Sequence, residues 1–395
     1  MKKVFCHHCG YPSTHPFGII IKDGICTGCI THQEKDIIDW DSRRELLKET
    51  INLYLSKKTK RTYDCVVPVV GDAEDYFVLK KVIDLNLKPL VVSVNDYFKN
   101  DIGWHNLHQL ITFFDVDADF YNPDLVIYKE LVKTSLRKFD HVLLPFLQLH
   151  TSYPVHVAKR KNIPLVIWGG NQAVEQVGKF SHLDSVEMSE WSRIEHDLFG
   201  NNIEKLIGNG AQVDERKLNF YNYPSVDSVG ERAGLVGIYL SNYLRWDPLK
   251  QNEEAKKYNF IPELNVSSFD VYERAGSSIY YGLHDLLKMK RLGYRKIKDH
   301  LAREVRHGRV SVEELDSTYQ SNYMNPVYIK DFFDWLGITS SGYEWFLKHR
   351  LGQFREIVSP TRINSKHIWV NDQISNICVG AEISSESYIT MGKGI

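Results

Sequence analysis

The sequence is short of the features that would place a chain in or across a membrane. Its opening Met-Lys-Lys-Val-Phe-Cys lacks the apolar run of a secretory signal, and no stretch of the 395 residues is long and apolar enough to span a bilayer. The expected location is the cytoplasm, with no membrane partner. Charge of one sign is missing too: 49 basic and 50 acidic side chains leave a formal −1, so global charge points to neither nucleic acid nor lipid. Cysteine is scarce, and six in a chain of this length cannot build a disulfide scaffold. Internal repeats and low-complexity segments are also absent. What is left is a globular chain long enough for two or three packed units.

Four of the six cysteines fall in the first 29 residues, as Cys6-His-His-Cys9 and Cys26-Thr-Gly-Cys29, around a turn-rich segment carrying Pro12, Pro16, Gly18 and Gly24. Each C-x-x-C can present two thiolates to one tetrahedral ion, so the pairs read as a four-cysteine zinc site, with redox pairs as the other reading. A site closed by four protein ligands has no open position for substrate. Its role is folding and docking. A lead-in helix is expected over 37–55, capped by Asp41 or Ser42.

The stretch C-V-V-P-V-V-G-D-A-E-D-Y-F, Cys65 to Phe77, runs from a buried strand through a tight turn into a helix. Backbone N–H groups in such a turn, with the positive end of the helix dipole, attract phosphate, and Gly71 permits close approach. Asp72, Glu74 and Asp75 would repel bare phosphate but could hold a magnesium ion that screens it. A plain connector is the competing reading.

A second strand, K-P-L-V-V-S-V-N-D, ends near Ser93 and Asn95, where polar residues face the ligand crevice of a doubly wound sheet. Asn95 reads as a base or ribose contact or as a loop cap. Strand patterns in H-V-L-L-P-F-L and I-P-L-V-I-W-G-G-N bracket a helix around Tyr153 to Lys161. The alternation over 62–170 predicts a parallel sheet with helices on both faces. After Gly169 and Gly170, the segment crowds Asn171, Gln172, Glu175, Gln176, His182, Asp184 and Glu187 into one span, which reads as a wall of a site. Nine Lys or Arg lie between Lys288 and Arg309 against Asp299 and Glu304 alone. Such a run suggests an anionic ligand, a solvated helix face or an RNA-binding patch. Ser311 followed by V-E-E-L starts a further helix.

In this order the motifs resemble the N-acetyl sugar amidotransferase family, relatives of the PP-loop ATP pyrophosphatases that act in surface-polysaccharide and nonulosonic-acid pathways. The resemblance runs from residue 1 to about 350. It implies a doubly wound, adenine-nucleotide α-hydrolase-like α/β domain over 46–265. Before it come a zinc knuckle and lead-in over 1–45; after it come a helical region over 266–356 and a tail over 357–395. It further implies ATP and magnesium, adenylation of a sugar N-acetyl oxygen, and displacement of AMP by ammonia to leave an acetamidino group. No glutaminase motif is present, so ammonia is expected from a separate glutaminase with a cyclase-like, ammonia-conducting subunit. The sugar partner would be free or nucleotide-linked.

Against the superfamily's S-G-G-x-D-S, Gly71 matches and Glu74 keeps the acid, while Val70, Asp72 and Asp75 replace a Ser, a Gly and a Ser. Against G-E-N-x-x-x-E-Y-G-G, the residues Gly169, Asn171, Glu175 and Gly178 match. The nucleotide candidates are Val70, Gly71, Asp72, Ala73, Gly169, Gly170 and Asn171 from the two motif turns, with Ser93 and Asn95 from the strand end; the resemblance carries over Gly71 and Glu74 as phosphate-loop and magnesium candidates. From charge alone, Lys288 or Lys290 is expected to supply compensating charge, and Glu74, Asp75, Glu175 and His182 are the catalytic candidates. Gly71→Val or Glu74→Gln is expected to abolish turnover with the fold intact. Two other readings stand beside this one: a tRNA-modifying PP-loop enzyme, which needs Cys65 as its sulfur relay, and a non-catalytic sugar-nucleotide-binding protein.

Overall fold

Side-chain alternation along the central strands sets the architecture. The computed structural model describes residues 4–15, 19–184, 194, 198, 200–208, 213–224, 229–230, 232–263, 270–273, 276 and 281–362. A small antiparallel hairpin, β1 (Ile21–Lys22) and β2 (Ile25–Cys26), leads into α1 (Thr27–Glu34) and α2 (Trp40–Lys57). Five strands then form one sheet: β3 (Cys65–Pro68), β4 (Pro89–Val94), β5 (Asp117–Tyr121), β6 (Leu165–Trp168) and β7 (Val236–Tyr239). Every pairing is parallel and the spatial order is β5-β4-β3-β6-β7.

Four of these strands are buried on both faces, so they read as continuous apolar runs. Val66, Val92, Val94 and Val166 point into one core, with Cys65, Val67, Val91 and Leu165 in the other. The first core is closed by α5 (Leu125–Phe139), α6 (Leu144–Arg160), α10 (Tyr281–Leu292) and α13 (Lys330–Trp335), through residues such as Leu131, Leu149, Leu287 and Phe332. The second takes the knuckle, α2, α3 (Ala73–Asp84), α4 (Asp101–Phe114) and α11 (Ile297–Arg306), through Ile51, Leu79, Leu110 and Leu301. Helices after residue 281 thus divide between the two cores and share their interior with the sheet.

The chain leaves β3 toward β4 on one side and returns to β6 on the other, so the order reverses between β3 and β6. In an open parallel sheet this reversal parts the loops at the carboxyl ends and opens a crevice there. The turns at 69–72 and 169–171 flank it.

Three local expectations are corrected. H-V-L-L-P-F-L is not a strand but the entry to α6, with Pro145 in its first turn, where a missing N–H costs nothing. The edge strand β5 replaces it; its D-A-D-F-Y is half-exposed and polar, so no apolar run announces it. The cap of α2 is Asp39, whose carboxylate accepts from the N–H groups of Asp41 and Ser42 at 3.0 and 3.1 Å. The helix after Ser311, α12 (Val312–Asn322), starts as expected with a Ser311–Glu314 capping box. Among the described residues, no helix is long and apolar enough to cross a membrane. Glu187 and most of the 357–395 tail lie outside the described residues.

Candidate active site at the strand-order reversal

The first turn is held by its own helix. Asp75 Oδ2 accepts hydrogen bonds from the backbone N–H groups of Val70 (2.8 Å), Gly71 (2.8 Å) and Asp72 (3.1 Å). The donors expected to face a phosphate are therefore occupied by an internal carboxylate. Burial raises the Asp75 carboxyl to about 7, and the nearby Asp72 charge adds to this against the opposing bonds from Val70 and Gly71. Gly71 sits at φ 97°, and a Cβ there would lie 2.9 Å from the Leu107 backbone nitrogen. Its close approach is to α4, a packing requirement. Ala73, fully buried, begins α3.

The second turn is tied to the first through Glu74, whose Oε1 accepts from the Gly170 N–H at 2.9 Å. A Cβ on Gly169 would fall 2.2 Å from that oxygen, and one on Gly170 would fall 2.9 Å from Trp246 Nε1. Both glycines exist so that these side chains can press against the backbone. Asn171 donates its N–H to Ser241 Oγ (2.8 Å) and caps α7 (Gln172–Glu175) through Oδ1. Its Nδ2, in a side chain 3 % exposed, has no hydrogen-bond partner among the described residues.

Glu175 and His182 meet as the wall reading implies. Glu175 Oε1 lies 3.1 Å from His182 Nε2, and His182 Nδ1 lies 3.3 Å from Glu34 Oε2. The imidazole is thus sandwiched by two carboxylates. Lys35 Nζ completes the chain, 2.5 Å from Glu175 Oε2 and 2.8 Å from the Trp246 carbonyl. Burial would raise the Glu175 carboxyl, but Lys35 and His182 together hold it below the ordinary carboxylate range. Glu34 and Lys35 are the partners that sequence reasoning missed. The only available signal was their position at the end of α1, the helix that carries Cys29.

That position explains the knuckle. Cys6 and Cys29 sulfurs are 3.8 Å apart and those of Cys9 and Cys26 are 3.7 Å apart. All four lie within 4.8 Å of one another and are buried. A tetrahedral ion with bonds of ~2.3 Å to sulfur has edges of about 3.8 Å, so the thiols fit zinc. The Arg306 guanidinium lies 3.6 Å from Cys26 Sγ and 3.8 Å from Cys9 Sγ, and donates to the Gln176 carbonyl at 2.8 Å. Thr27 Oγ1 donates to the Val177 carbonyl at 2.6 Å. The knuckle is therefore docked on the wall that carries Glu175. A small polar cleft of ≈ 40 Å³ opens between them, lined by His32, Lys35, Glu175, Glu273, Lys296 and Arg303 among others.

Ser93, Asn95 and Lys288 do not join this network. Ser93 is buried within β4. Asn95 holds the loops after β4 and β5 together, accepting from the Tyr97 N–H at 2.9 Å and donating to Asn122 Oδ1 at 2.9 Å. Lys288 is spent on a buried pair with Asp299, which also accepts from Tyr11, and is not among the residues lining the cleft. Other members of the basic run are likewise paired internally: Lys290 with Asp140, Arg295 with Asp285, Lys296 with Glu273, Arg303 with Asp270 and Arg309 with Asp247. Asp140, Asp247, Asp270 and Glu273 come from other segments while Asp285 and Asp299 lie in or beside the run itself, so the run is an interior feature and not the solvated or RNA-facing patch that local charge suggested.

The described residues thus form a doubly wound parallel α/β protein, with acids and glycines gathered at its switch point and a four-cysteine knuckle of zinc-compatible geometry docked beside them. No protein-family model matches the chain, and no curated protein matches it. Two solved structures are similar over part of it. NMN synthetase from Francisella tularensis is 13% identical, covering 56% of this chain and 96% of its own, at a TM-score of 0.27. The NH3-dependent NAD synthetase from Campylobacter jejuni subsp. jejuni NCTC 11168, in complex with the nitrate ion, is 12% identical, covering 47% and 90%, at 0.27. At such scores neither establishes fold or chemistry here; the fold follows from the chain's own strand order.

Proposed function

We propose that the chain is an ATP-dependent amidotransferase that converts a sugar N-acetyl group to an acetamidino group. The observation that carries this reading is the Glu74–Gly170 hydrogen bond, which joins the two motif turns across the strand-order reversal. An amide oxygen is a poor leaving group until it is adenylated with loss of pyrophosphate; ammonia can then add at the amide carbon and AMP depart. Asn171 Nδ2, in the second motif turn, is a buried donor with no hydrogen-bond partner among the described residues. Asp72 and Glu74 are the candidates for a magnesium ion, and phosphate binding to the turn requires Asp75 to give up its three N–H groups. Ammonia must lose a proton after attack, and the chain Glu175–His182–Glu34, with the imidazole 3.1 and 3.3 Å from the two carboxylates, is our candidate to take it. The ammonia source is a separate glutaminase with its conducting subunit, and the sugar is free or nucleotide-linked.

The tRNA-modifying reading is disfavoured by Cys65. Its thiol is wholly buried in β3, and burial pushes its pKa well above the ordinary thiol value, so it cannot relay sulfur from that position. The deciding experiment supplies ATP, magnesium, ammonium and an N-acetylated sugar nucleotide, and follows nucleotide products. AMP and pyrophosphate that form only with both sugar and ammonium support the proposal. ADP and phosphate would sink the adenylation step, and failure to bind Mg-ATP at all would favour a non-catalytic binding protein.

A further inference from the structure

Two members of the basic run reach the surface, and both line the cleft between the knuckle and the wall. Lys296, just before α11, is 29 % exposed, and Arg303, on α11, is 15 % exposed. Each keeps donors that its internal pairs do not use. Arg303 gives Nε to Glu304 at 2.8 Å and Nη2 to Asp270 at 2.7 Å, while Nη1 stands 3.6 Å from Glu273 Oε2, outside hydrogen-bond distance. Lys296 Nζ lies 3.0 Å from Glu273 Oε1 and 3.8 Å from Asp299 Oδ2, so only the nearer carboxylate is within reach of its ammonium donors. From the wall, Gln172, the first residue of α7, lines the same cleft and is exposed.

Donors of this kind suit an oxyanion. The carboxylates in the described lining, Glu175 and Glu273, are both engaged: Glu175 by Lys35 and His182, and Glu273 by Lys296 and by His300 Nε2 at 2.6 Å. The segments 264–269, 274–275 and 277–280, which flank Glu273 outside the described residues, contain no Asp or Glu and add Arg274. Two histidines of the lining agree in sign. His32, on α1, is pushed down to about 3, by burial first and then by Lys35 and Arg306 against Glu175 and Asp36. The ring of His307 meets that of His32 edge-on at 4.5 Å, and it too is lowered by burial and then by cations, Arg309 and Lys35 foremost. Size limits the anion: ≈ 40 Å³, at ~10–15 Å³ per water, holds about three waters, the scale of a small oxyanion and far short of a nucleotide.

We propose that this cleft is a binding site for a small oxyanion, a carboxylate or an inorganic phosphate, seated on Lys296 Nζ and Arg303 Nη1 with Gln172 beside it. The site is separate from the turn at 69–72 and does not depend on adenylation chemistry, so it is tested without ATP or sugar. Full-length protein is titrated calorimetrically with phosphate, with acetate, and with chloride as a control that carries charge without the oxygen acceptors. Saturable binding of phosphate or acetate, at least about tenfold tighter than chloride, is expected. Phosphate alone binding would assign a tetrahedral anion, and acetate alone a carboxylate. Gln172→Glu places a negative charge on an exposed side chain of the lining and should weaken binding by about tenfold or more. Lys296→Met removes one of the two cations and should weaken it comparably; should that variant fail to fold by circular dichroism, Gln172→Glu decides alone. The proposal is overturned if neither oxyanion binds, if chloride binds as tightly, or if a folded variant binds as the parent chain does, since the anion then sits elsewhere and the cleft holds water alone.

Discussion

Lys35 Nζ lies 2.5 Å from Glu175 Oε2, joining the end of the helix that carries Cys29 to the wall of the crevice, 140 residues away. Both side chains are buried, at 2 % and 9 % exposure. Removing one partner leaves an uncompensated buried charge, so Lys35→Met should cost about 3–5 kcal/mol in urea denaturation. The double variant Lys35→Met/Glu175→Gln should recover part of that loss, and a strictly additive double variant would show that the pair is not coupled. Because the Glu175 carboxyl is held below its ordinary value of 4.5, its contribution is present above that pH and is lost as acidification passes through the lowered value. The low-pH limb of the stability profile should flatten in Glu175→Gln.

Zinc removal should act on the site at a distance. Metal analysis is expected to give one zinc per chain, and chelation should expose four thiols to a thiol reagent. Loss of the ion frees α1 and with it Glu34 and Lys35, so activity and thermal stability should fall together. Cys9→Ser should behave like the chelated protein. Full activity of a metal-free protein would show that the knuckle and the wall are independent.

Asp75 offers a pH signature of opposite sign. Its folded value of about 7 stands above the ordinary 3.8, so its contribution is complete below 3.8 and is lost as pH rises through about 7. Asp75→Asn keeps an acceptor for the turn and should remove that slope between pH 4 and 7, a window read by denaturation at a pH series. Asp75→Ser should free turn N–H groups and raise Mg-ATP affinity. A loss of affinity would instead place Asp75 among the ligands of the metal.

The two glycine and acid changes in the first turn separate by cause. Glu74→Gln keeps an oxygen for the Gly170 N–H, so the fold should survive while turnover is lost. Gly71→Val should destabilise the protein by at least ~1–3 kcal/mol, since the residue sits at φ 97° with α4 in contact range. This departs from the expectation drawn from the turn alone, that both changes would leave the fold intact. Thermal melts of the two variants distinguish them.

The sheet was legible because buried parallel strands are apolar on both faces, and β3, β4, β6 and β7 all show it. β5 was not, because an edge strand can be written D-A-D-F-Y. The entry to α6 was misread for the converse reason: V-L-L-P-F-L is apolar whether it is strand or buried helix, and only tertiary packing decides. Within the site, glycines and clustered polar residues pointed to Glu74, Asn171, Glu175 and His182. Glu34, Lys35 and Arg306 could not be found that way, since what matters about them is which distant segment they reach. The same holds for the basic run at 288–309, whose partner acids are spread from Asp140 to Asp316.

Arg306 and Cys9 are 297 positions apart, yet the guanidinium of one sits against the sulfur of the other. At ~5–20 residues per second, a ribosome needs about 15–60 s to travel that distance. For most of that interval the first cysteines have left the exit tunnel without the cation that later covers them. The thiols are therefore open to metal early, while the crevice beside them cannot be completed until α11 has been made. Exposure of the four thiols and completion of the site are therefore separate events in synthesis, and a product ending before α11 would lack the Arg306 clamp, leaving Thr27 and Lys35 to hold the knuckle against the wall.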